Sequence, residues 1–360
     1  FPSLEETSRH LGADGDAYRR LLSPFVRQDL VDSLMSPFGV PRAPLALARF
    51  GLVGTLPLEM VARRRFDTDE ARGLLAGMAA HSMLSLRAPI TTAYGLMLAL
   101  LGHLVGWPMA KGGSQAIADA MVSLLEHHGG KVECDRRVTS LSDLPDSSAY
   151  LFDVTPAQLV DICGDRLPDR YRRRLQRFRR GPGVWKVDWA LDGPVPWTNA
   201  DLHRAATVHV GGTLQEVVAA EDDVTRGRVP ERPFVLYVQS SQFDRSRAPD
   251  GGETGWGYCH VPNGSEVDVT DRIESQIERF APGFRDRIVE RRVMGPAAMQ
   301  AYNPNYLGGD INGGMADLRQ FVARPVLSLR PWRTPVDRVY LCSSSTPPGG
   351  GVHGMCGLHA

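Results

Sequence analysis

Over the first hundred residues, apolar side chains return every three or four positions. Leu30, Leu34 and Phe38 do so, and then Leu74, Leu75, Met78 and Met83. That period predicts helices rather than strands. Pro41, Pro44 and Pro57 cut the region into short pieces. No alternating run occurs, so residues 1–105 are expected to form a helical cap over a substrate region.

The pattern changes between residues 106 and 165. Ser114 follows Gly112-Gly113 as a helix-capping residue. Ile117, Met121, Leu124, Leu125 and His128 then fall on one helical face. Gly129-Gly130 end that helix. Val132 and Cys134 alternate with Lys131, Glu133 and Asp135, which predicts a strand. A second strand is expected from Tyr150 to Val154. It runs into Thr155-Pro156-Ala157-Gln158, a capping box with proline at the first helical position. This is α/β material without a first strand of its own.

Residues 166–330 are richer in strands. Trp185, Val187, Trp189 and Leu191 alternate with polar or small neighbours, and so do Trp256, Tyr258 and His260. Phe234 to Val238 is continuously apolar, and one helix intrudes with Ile273, Ile277 and Phe280. A mixed sheet with one face on a core or cavity is expected. The last segment, 331–360, carries a short strand, Val339 to Cys342. A small-residue loop follows, and a glycine-rich helix is expected to begin at Val352.

Bulk properties narrow the function. Lys plus Arg and Asp plus Glu balance at 41 each, so no global charge recruits nucleic acid. The seven arginines between Arg170 and Arg180 flank Tyr171, Leu175 and Phe178 and read as a solvated helix face. The five cysteines form no CxxC pair, which argues against a disulfide scaffold and for a reducing, cytoplasmic setting. His353 and Cys356 lack a second ligand pair, so no metal site is expected. The stretch from Ala88 to Ala110 holds no Asp, Glu, Lys or Arg. It reads as a buried helix beside an apolar cavity, with a peripheral membrane contact as the alternative. A chain opening on Phe1 and stopping at Ala360 is expected to be a fragment.

The strongest chemical signal is terminal. A strand, a glycine loop and a helix start can together hold an anion on free backbone N–H groups; tight helix–strand packing would use the same glycines. The run Ser344-Ser345-Thr346-Pro347-Pro348-Gly349-Gly350-Gly351-Val352-His353-Gly354-Met355-Cys356-Gly357 closely resembles the C-terminal flavin motif of the phytoene desaturase-like oxidoreductases. That group includes carotenoid desaturases, retinol saturase and bacterial NAD(P)/FAD-dependent oxidoreductases. Trp107 to Ala116, Gly130 to Val138 and Asn303 to Ile311 resemble further family segments in the same order.

The resemblance implies a two-domain α/β flavoprotein of the glutathione-reductase and amine-oxidase type. Residues 106–165 and 331–360 would contribute to its FAD-binding domain. Pro348, Gly349, Gly350, Gly351, Val352, His353 and Gly354 would contact the cofactor, FAD. Val138 would offer backbone to the adenine, Thr155 and Pro156 would pass near the nucleotide, and Gly112 and Gly113 would pack close to the ring. The family's opening GxGxxG has no counterpart here, so roughly a hundred or more upstream residues are expected to be missing, and the fragment alone is expected to bind FAD weakly or not at all and to be inactive. Serines Ser343 to Ser345 also replace an acidic residue of many flavoproteins.

The implied activity is flavin-dependent desaturation or saturation of carbon–carbon bonds in a lipophilic, isoprenoid-like small molecule. A flavin amine oxidase is the first alternative, and a non-catalytic, membrane-associated binding protein is the second. No catalytic side chain is assigned. Tyr258 and His260 share a strand face and read first as core or surface positions, and Tyr306 and Asp310 read as turn residues. His353 is read either as tuning the ring or as capping the helix.

Overall fold

A computed structural model describes Phe1 and residues 3–360. The chain opens with seven helices: α1 (Leu4–His10), α2 (Gly15–Leu22), α3 (Gln28–Met35), α4 (Pro44–Gly54), α5 (Leu58–Arg65), α6 (Asp69–Ala80) and α7 (Thr91–Leu104). Their shared core includes Leu75, Leu86, Leu96 and Leu100, all fully buried. Each such leucine contributes about 2 kcal/mol of burial energy. Helix α6 starts where Asp14, buried on another turn, accepts the N–H groups of Asp67 and Thr68. A distant carboxylate thus satisfies donors that a helix start leaves open. Within the charge-free stretch, α7 buries Thr91, Thr92, Gly95, Leu96, Ala99 and Leu100. Among the described residues no single helix is long and apolar enough to cross a membrane.

Helix α8 (Gln115–His127) follows. Its apolar stripe is where the sequence placed it, yet it is uncovered: Met121 is 66% exposed and Leu124 60%. The strand expected from Lys131 to Asp135 does not form, and residues 131–139 belong to no helix or strand. Alternation alone does not make a strand. A strand needs a ladder partner for its backbone groups, and this segment has none among the described residues.

Next come β1 (Tyr150–Phe152), α9 (Pro156–Cys163) and α10 (Asp169–Gln176), which buries Tyr171 and Leu175 beneath its arginines. The sheet region comprises β2 (Gly183–Leu191), β3 (Thr207–Val210), α11 (Leu214–Thr225), β4 (Val235–Val238), β5 (Glu253–Val261), α12 (Thr270–Glu278) and β6 (Ile288–Met294). Strand order is β3-β4-β5-β2-β6. Every pairing is antiparallel, so the sheet is not mixed as expected. The alternation in β2 and β5 reflects this, since one face is fully buried. There Trp185, Val187, Trp189, Tyr237 and Val261 pack on Ile273, Ile277 and Phe284. Helices α13 (Pro296–Tyr302) and α14 (Leu318–Val322), strand β7 (Val339–Leu341) and helix α15 (Met355–His359) complete the chain.

The helical region meets the sheet through histidines. His81 at the end of α6 and His209 on β3 lie 2.9 Å apart, Nε2 to Nε2. His260 on β5 bonds the buried Glu221 of α11 at 2.8 and 3.0 Å. Burial pulls the His81 pKa from 6.5 to about 3, helped by His209 and His260. Burial alone pulls His209 to about 4. Unfolded imidazoles take up protons below their ordinary value while these two resist, so folding stability falls with pH. The loss begins near pH 6.5 and runs down toward the folded values. Urea unfolding at pH 7 and pH 4.5 should show it, at up to about 1.4 kcal/mol per pH unit for each histidine. His81→Gln should flatten the slope; an unchanged slope would assign the pH dependence to other groups.

Candidate functional site

Strands β1 and β7 form a parallel pair, Tyr150 opposite Val339 and Phe152 opposite Leu341. Their shared core holds Leu159, Ile162, Leu167 and Leu175, and half-buried Val138 packs against it. At the carboxyl ends of such strands the chain turns away and opens a crevice. Two loops leave there. One is Asp153 to Pro156, entering α9; the other is Cys342 to Gly354, entering α15. Thr155 caps α9 through the N–H of Gln158. The reciprocal half of the expected capping box is absent. Gln158 instead donates to the Pro304 carbonyl, and Asn305 accepts the Thr155 N–H at 2.9 Å.

The terminal loop is tight at its base and open at its tip. Ser343, Ser345 and Thr346 are buried. Thr346 donates its hydroxyl to Ser343 O, and Cys356 Sγ lies 3.6 Å from Thr346 O and 3.5 Å from Gly349 O. Trp332 Nε1 donates to Pro347 O at 2.8 Å. Beyond this, Gly349, Gly351 and Gly354 take φ of +110°, +150° and +63°, values that favour glycine. Val352 is 93% exposed. Among the described residues, the N–H groups of Gly350, Gly351, Val352, His353 and Gly354 donate to no protein acceptor. They form a ribbon of free donors with no side chain over Gly349 or Gly354.

The helix begins at Met355, three residues later than expected, and is five residues long. Gly354 at its cap is left-handed, and His353 Nδ1 accepts the Met355 N–H at 3.0 Å. His353 therefore caps the helix. Burial lowers its pKa, against the opposing pull of a hydrogen bond to the Gly349 backbone. The free donors belong to the glycine ribbon before the helix, not to a helix dipole.

The remaining sequence candidates separate. Pro348 to Gly354 lie together, and Thr155 and Pro156 stand at the neighbouring strand end. Gly112 and Gly113 pack elsewhere: Gly112 N donates to Asp244 Oδ2 at 2.6 Å, and Arg247 Nη1 donates to Gly112 O at 2.9 Å. Val138 lies in the core behind the parallel pair.

What sequence reasoning missed is the floor under the ribbon. After a single 3-10 turn at Leu307–Gly309, residues 310–315 run without regular structure beneath it. Asp310, buried, accepts the N–H groups of Gly181 at 2.7 Å, Asn312 at 2.9 Å and Gly314 at 2.9 Å. Burial raises its pKa against these three donors. Ser345 Oγ donates to Gly313 O at 2.7 Å. Arg324 Nε donates to Ser344 O at 2.9 Å, and its other nitrogens reach the carbonyls of Asn312, Gly313 and Met315 at 3.1 to 3.2 Å. The glycine doublets Gly308-Gly309 and Gly313-Gly314 were the available signal.

The upper end of this loop reaches the other face of the sheet. Tyr306 and Ile311 join Met83, Val184, Met294, Met299 and Tyr258 in one apolar cluster. Trp256 and Tyr258 lie nearly parallel, with centroids 6.4 Å apart and planes 16° apart. The Lys186 ammonium sits 5.6 Å from the Trp256 ring centre and pairs with Asp188. A cleft of about 210 Å³, lined by Thr155, Pro156, Phe178, Arg180, Asp310 and Gly314 among others, opens beside the loop.

Gly314 tests how strictly this floor is built. Its φ is +120°, and a Cβ there would overlap the Phe178 ring. Gly314→Ala should cost roughly 2–4 kcal/mol in chemical denaturation. Gly357→Ala, where a Cβ meets nothing within 4 Å, should stay within about 0.5 kcal/mol. Equal effects would mean the floor tolerates rearrangement.

Several known proteins are similar to this chain. The chain is 25% identical over 365 residues to the pyridine nucleotide-disulfide oxidoreductase domain-containing protein 2 of Rattus norvegicus, covering 87% of this chain and 61% of that protein. It is 27% identical over 303 residues to the neurosporene-forming phytoene desaturase of Rhodobacter capsulatus, covering 74% of this chain and 55% of that one. An oxidoreductase structure from Methanosarcina mazei superposes with TM-score 0.58 at 14% identity, over 90% of this chain and 72% of that one. Putrescine oxidase superposes with TM-score 0.52 at 15% identity, over 92% and 70%. No family model matches. The resemblance to phytoene desaturase-like oxidoreductases thus extends over most of the chain, and its mixed helix-and-sheet fold is that of the amine-oxidase-like oxidoreductases. The chain spans about three-fifths of the length of the rat relative.

Proposed function

We propose that this relative of the phytoene desaturases is part of an FAD-dependent oxidoreductase that desaturates or saturates carbon–carbon bonds in a lipophilic, isoprenoid-like molecule. One observation carries the reading. The loop from Asn303 to Met315 bonds the buried base of the terminal loop at one end, where Ser345 Oγ donates to Gly313 O, and joins the apolar cluster around Tyr258 at the other. A cofactor on the ribbon and a substrate on the sheet would share that loop as a common side.

The residues present fit FAD. The ribbon has five free N–H groups, and Gly349 and Gly354 leave room that side chains would fill. Pro348 to Gly354 would hold the cofactor, with Thr155 and Pro156 at the neighbouring strand end. Gly112, Gly113 and Val138 remain proposed contacts. A bound flavin supplies hydride transfer to or from carbon. The chain's own part is placement and exclusion of water. Met83, Met294 and Met299 offer flexible thioethers that adapt to an irregular apolar molecule, and no titrating side chain is required for that role.

An amine oxidase is the second reading, favoured by the parallel rings of Trp256 and Tyr258. It is disfavoured by Lys186, whose ammonium already lies on the Trp256 ring where a substrate cation would compete.

The first test is the visible spectrum of the purified full-length protein, supplied with FAD and freed of excess. Retained flavin bands support the reading. A colourless protein would remove the flavoenzyme and favour a binding role. A lipophilic substrate also suggests a lipid partner. The outer face of α4 carries Leu45, 82% exposed, and Leu52, 74% exposed, with Arg49 as its one charge. We place the peripheral membrane contact there. Vesicles containing anionic lipid should retain the protein on flotation. Leu45→Glu with Leu52→Glu should weaken binding by on the order of 10-fold or more. Equal flotation of both proteins would move the contact elsewhere.

A further inference from the structure

Arg324 is a buried cation with no carboxylate in contact. It is 7% exposed, and among the described residues no Asp or Glu oxygen lies within ion-pair distance of it. Its neighbours are neutral: four backbone carbonyls and the Phe178 ring, 5.6 Å from the guanidinium carbon. The two carboxylates whose fields reach it are committed elsewhere. Asp310 is held by three backbone N–H groups, and Asp317 pairs with Arg179.

Burying a guanidinium this way is costly unless its charge is answered. Five donors in a planar fork suit it to gather carbonyls from separate segments. Here it gathers three from the floor loop and one from Ser344, at the root of the ribbon. The Asn312 carbonyl it holds lies 3.8 Å from where a Cβ on Gly350 would stand. One layer of backbone therefore separates the cation from the free donors.

We propose that Arg324 is a positioning residue for the cofactor, fixing the ribbon to the floor loop and lending its positive charge, which touches no carboxylate, to an anionic nucleotide on the far side. This rests on the FAD reading above. Burial presses the guanidinium pKa down while Tyr94 and Asp310 oppose it; an arginine stays charged there, where a lysine or histidine would be more easily neutralised.

The experiment compares the protein with Arg324→Lys, Arg324→Gln and Ser345→Ala, each checked for folding by circular dichroism and melting temperature without cofactor. FAD dissociation constants are then measured by equilibrium dialysis. Lysine keeps the charge with three donors; glutamine keeps two donors without charge. Ser345→Ala removes the hydroxyl tie to Gly313 and leaves the cation alone. The expected order of affinity is wild type, then Ser345→Ala, then Arg324→Lys, then Arg324→Gln, with the last weakened roughly 10- to 100-fold. Partial rescue by lysine is the readout a purely structural arginine would not give. Lys and Gln variants that bind equally, or a Gln variant that folds and binds like wild type, would overturn the proposal while leaving the flavin reading intact. If wild type itself binds no FAD, both fall together. Should Arg324→Gln not fold, the step from wild type to Arg324→Lys decides, since an unchanged affinity there would overturn the bracing role.

Discussion

The region between ribbon and sheet depends on how an irregular loop satisfies its backbone. Residues 308–315 belong to no sheet or long helix, so their N–H and C=O groups need partners from elsewhere. Two buried side chains of opposite charge divide that work. Asp310 takes N–H groups on one side of the loop, and Arg324 takes carbonyls on the other. Gln320 adds bonds to Arg179 O and Met315 O at 3.0 and 2.8 Å. Neither charged group could be removed without stranding buried polar atoms, which costs more than the bond itself was worth. The rigidity of the floor is therefore built from polar contacts, whereas the helical region and the sheet owe theirs to apolar burial.

The join between those two regions uses a third arrangement. Gly77 on α6 allows the His209 ring to come close, since a Cβ there would stand 2.7 Å from its Nδ1. Phe234 sits between His209 and His260, with ring centres 5.5 and 6.0 Å away. The histidines are thus packed as flat apolar bodies whose nitrogens find one partner each. At His81 and His209 such an interface tolerates neutral imidazole and resists charge. It fixes the sheet's open face, with Tyr258 beside His260 at 5.8 Å, relative to the helices that surround it.

Much of this was legible in the sequence. Helical spacing gave a helical N-terminal region, though not its division into seven helices, and alternation gave β2 and β5, because those patterns report burial on one face and that burial exists. The same logic misled at residues 131–135. Alternation is present there, but with no ladder partner in the described chain the segment stays irregular, and the stripe on α8 stays exposed for want of a covering layer. The terminal loop was legible because glycines with positive φ have few substitutes. Arg324 was not, since nothing local distinguishes an arginine that bridges segments twenty residues apart from one in solvent. Asp310 was noticed and read as a turn former, which matches its hydrogen bonds, though not its burial or its place under the ribbon.

The contrast between floor and ribbon carries the functional argument further than either alone. Beneath, every polar group of Asp310 and Arg324 is spent on backbone. Directly above, five consecutive N–H groups donate to nothing among the described residues. Protein interiors seldom leave donors idle, so idle donors collect where solvent or a ligand can serve them. Solvent alone would not require glycines to hold the strand open, nor a capping histidine to turn the chain away at Met355. A flat anionic ligand would require both: bare backbone on one side for close approach, and a floor stiff enough that binding does not have to order it first.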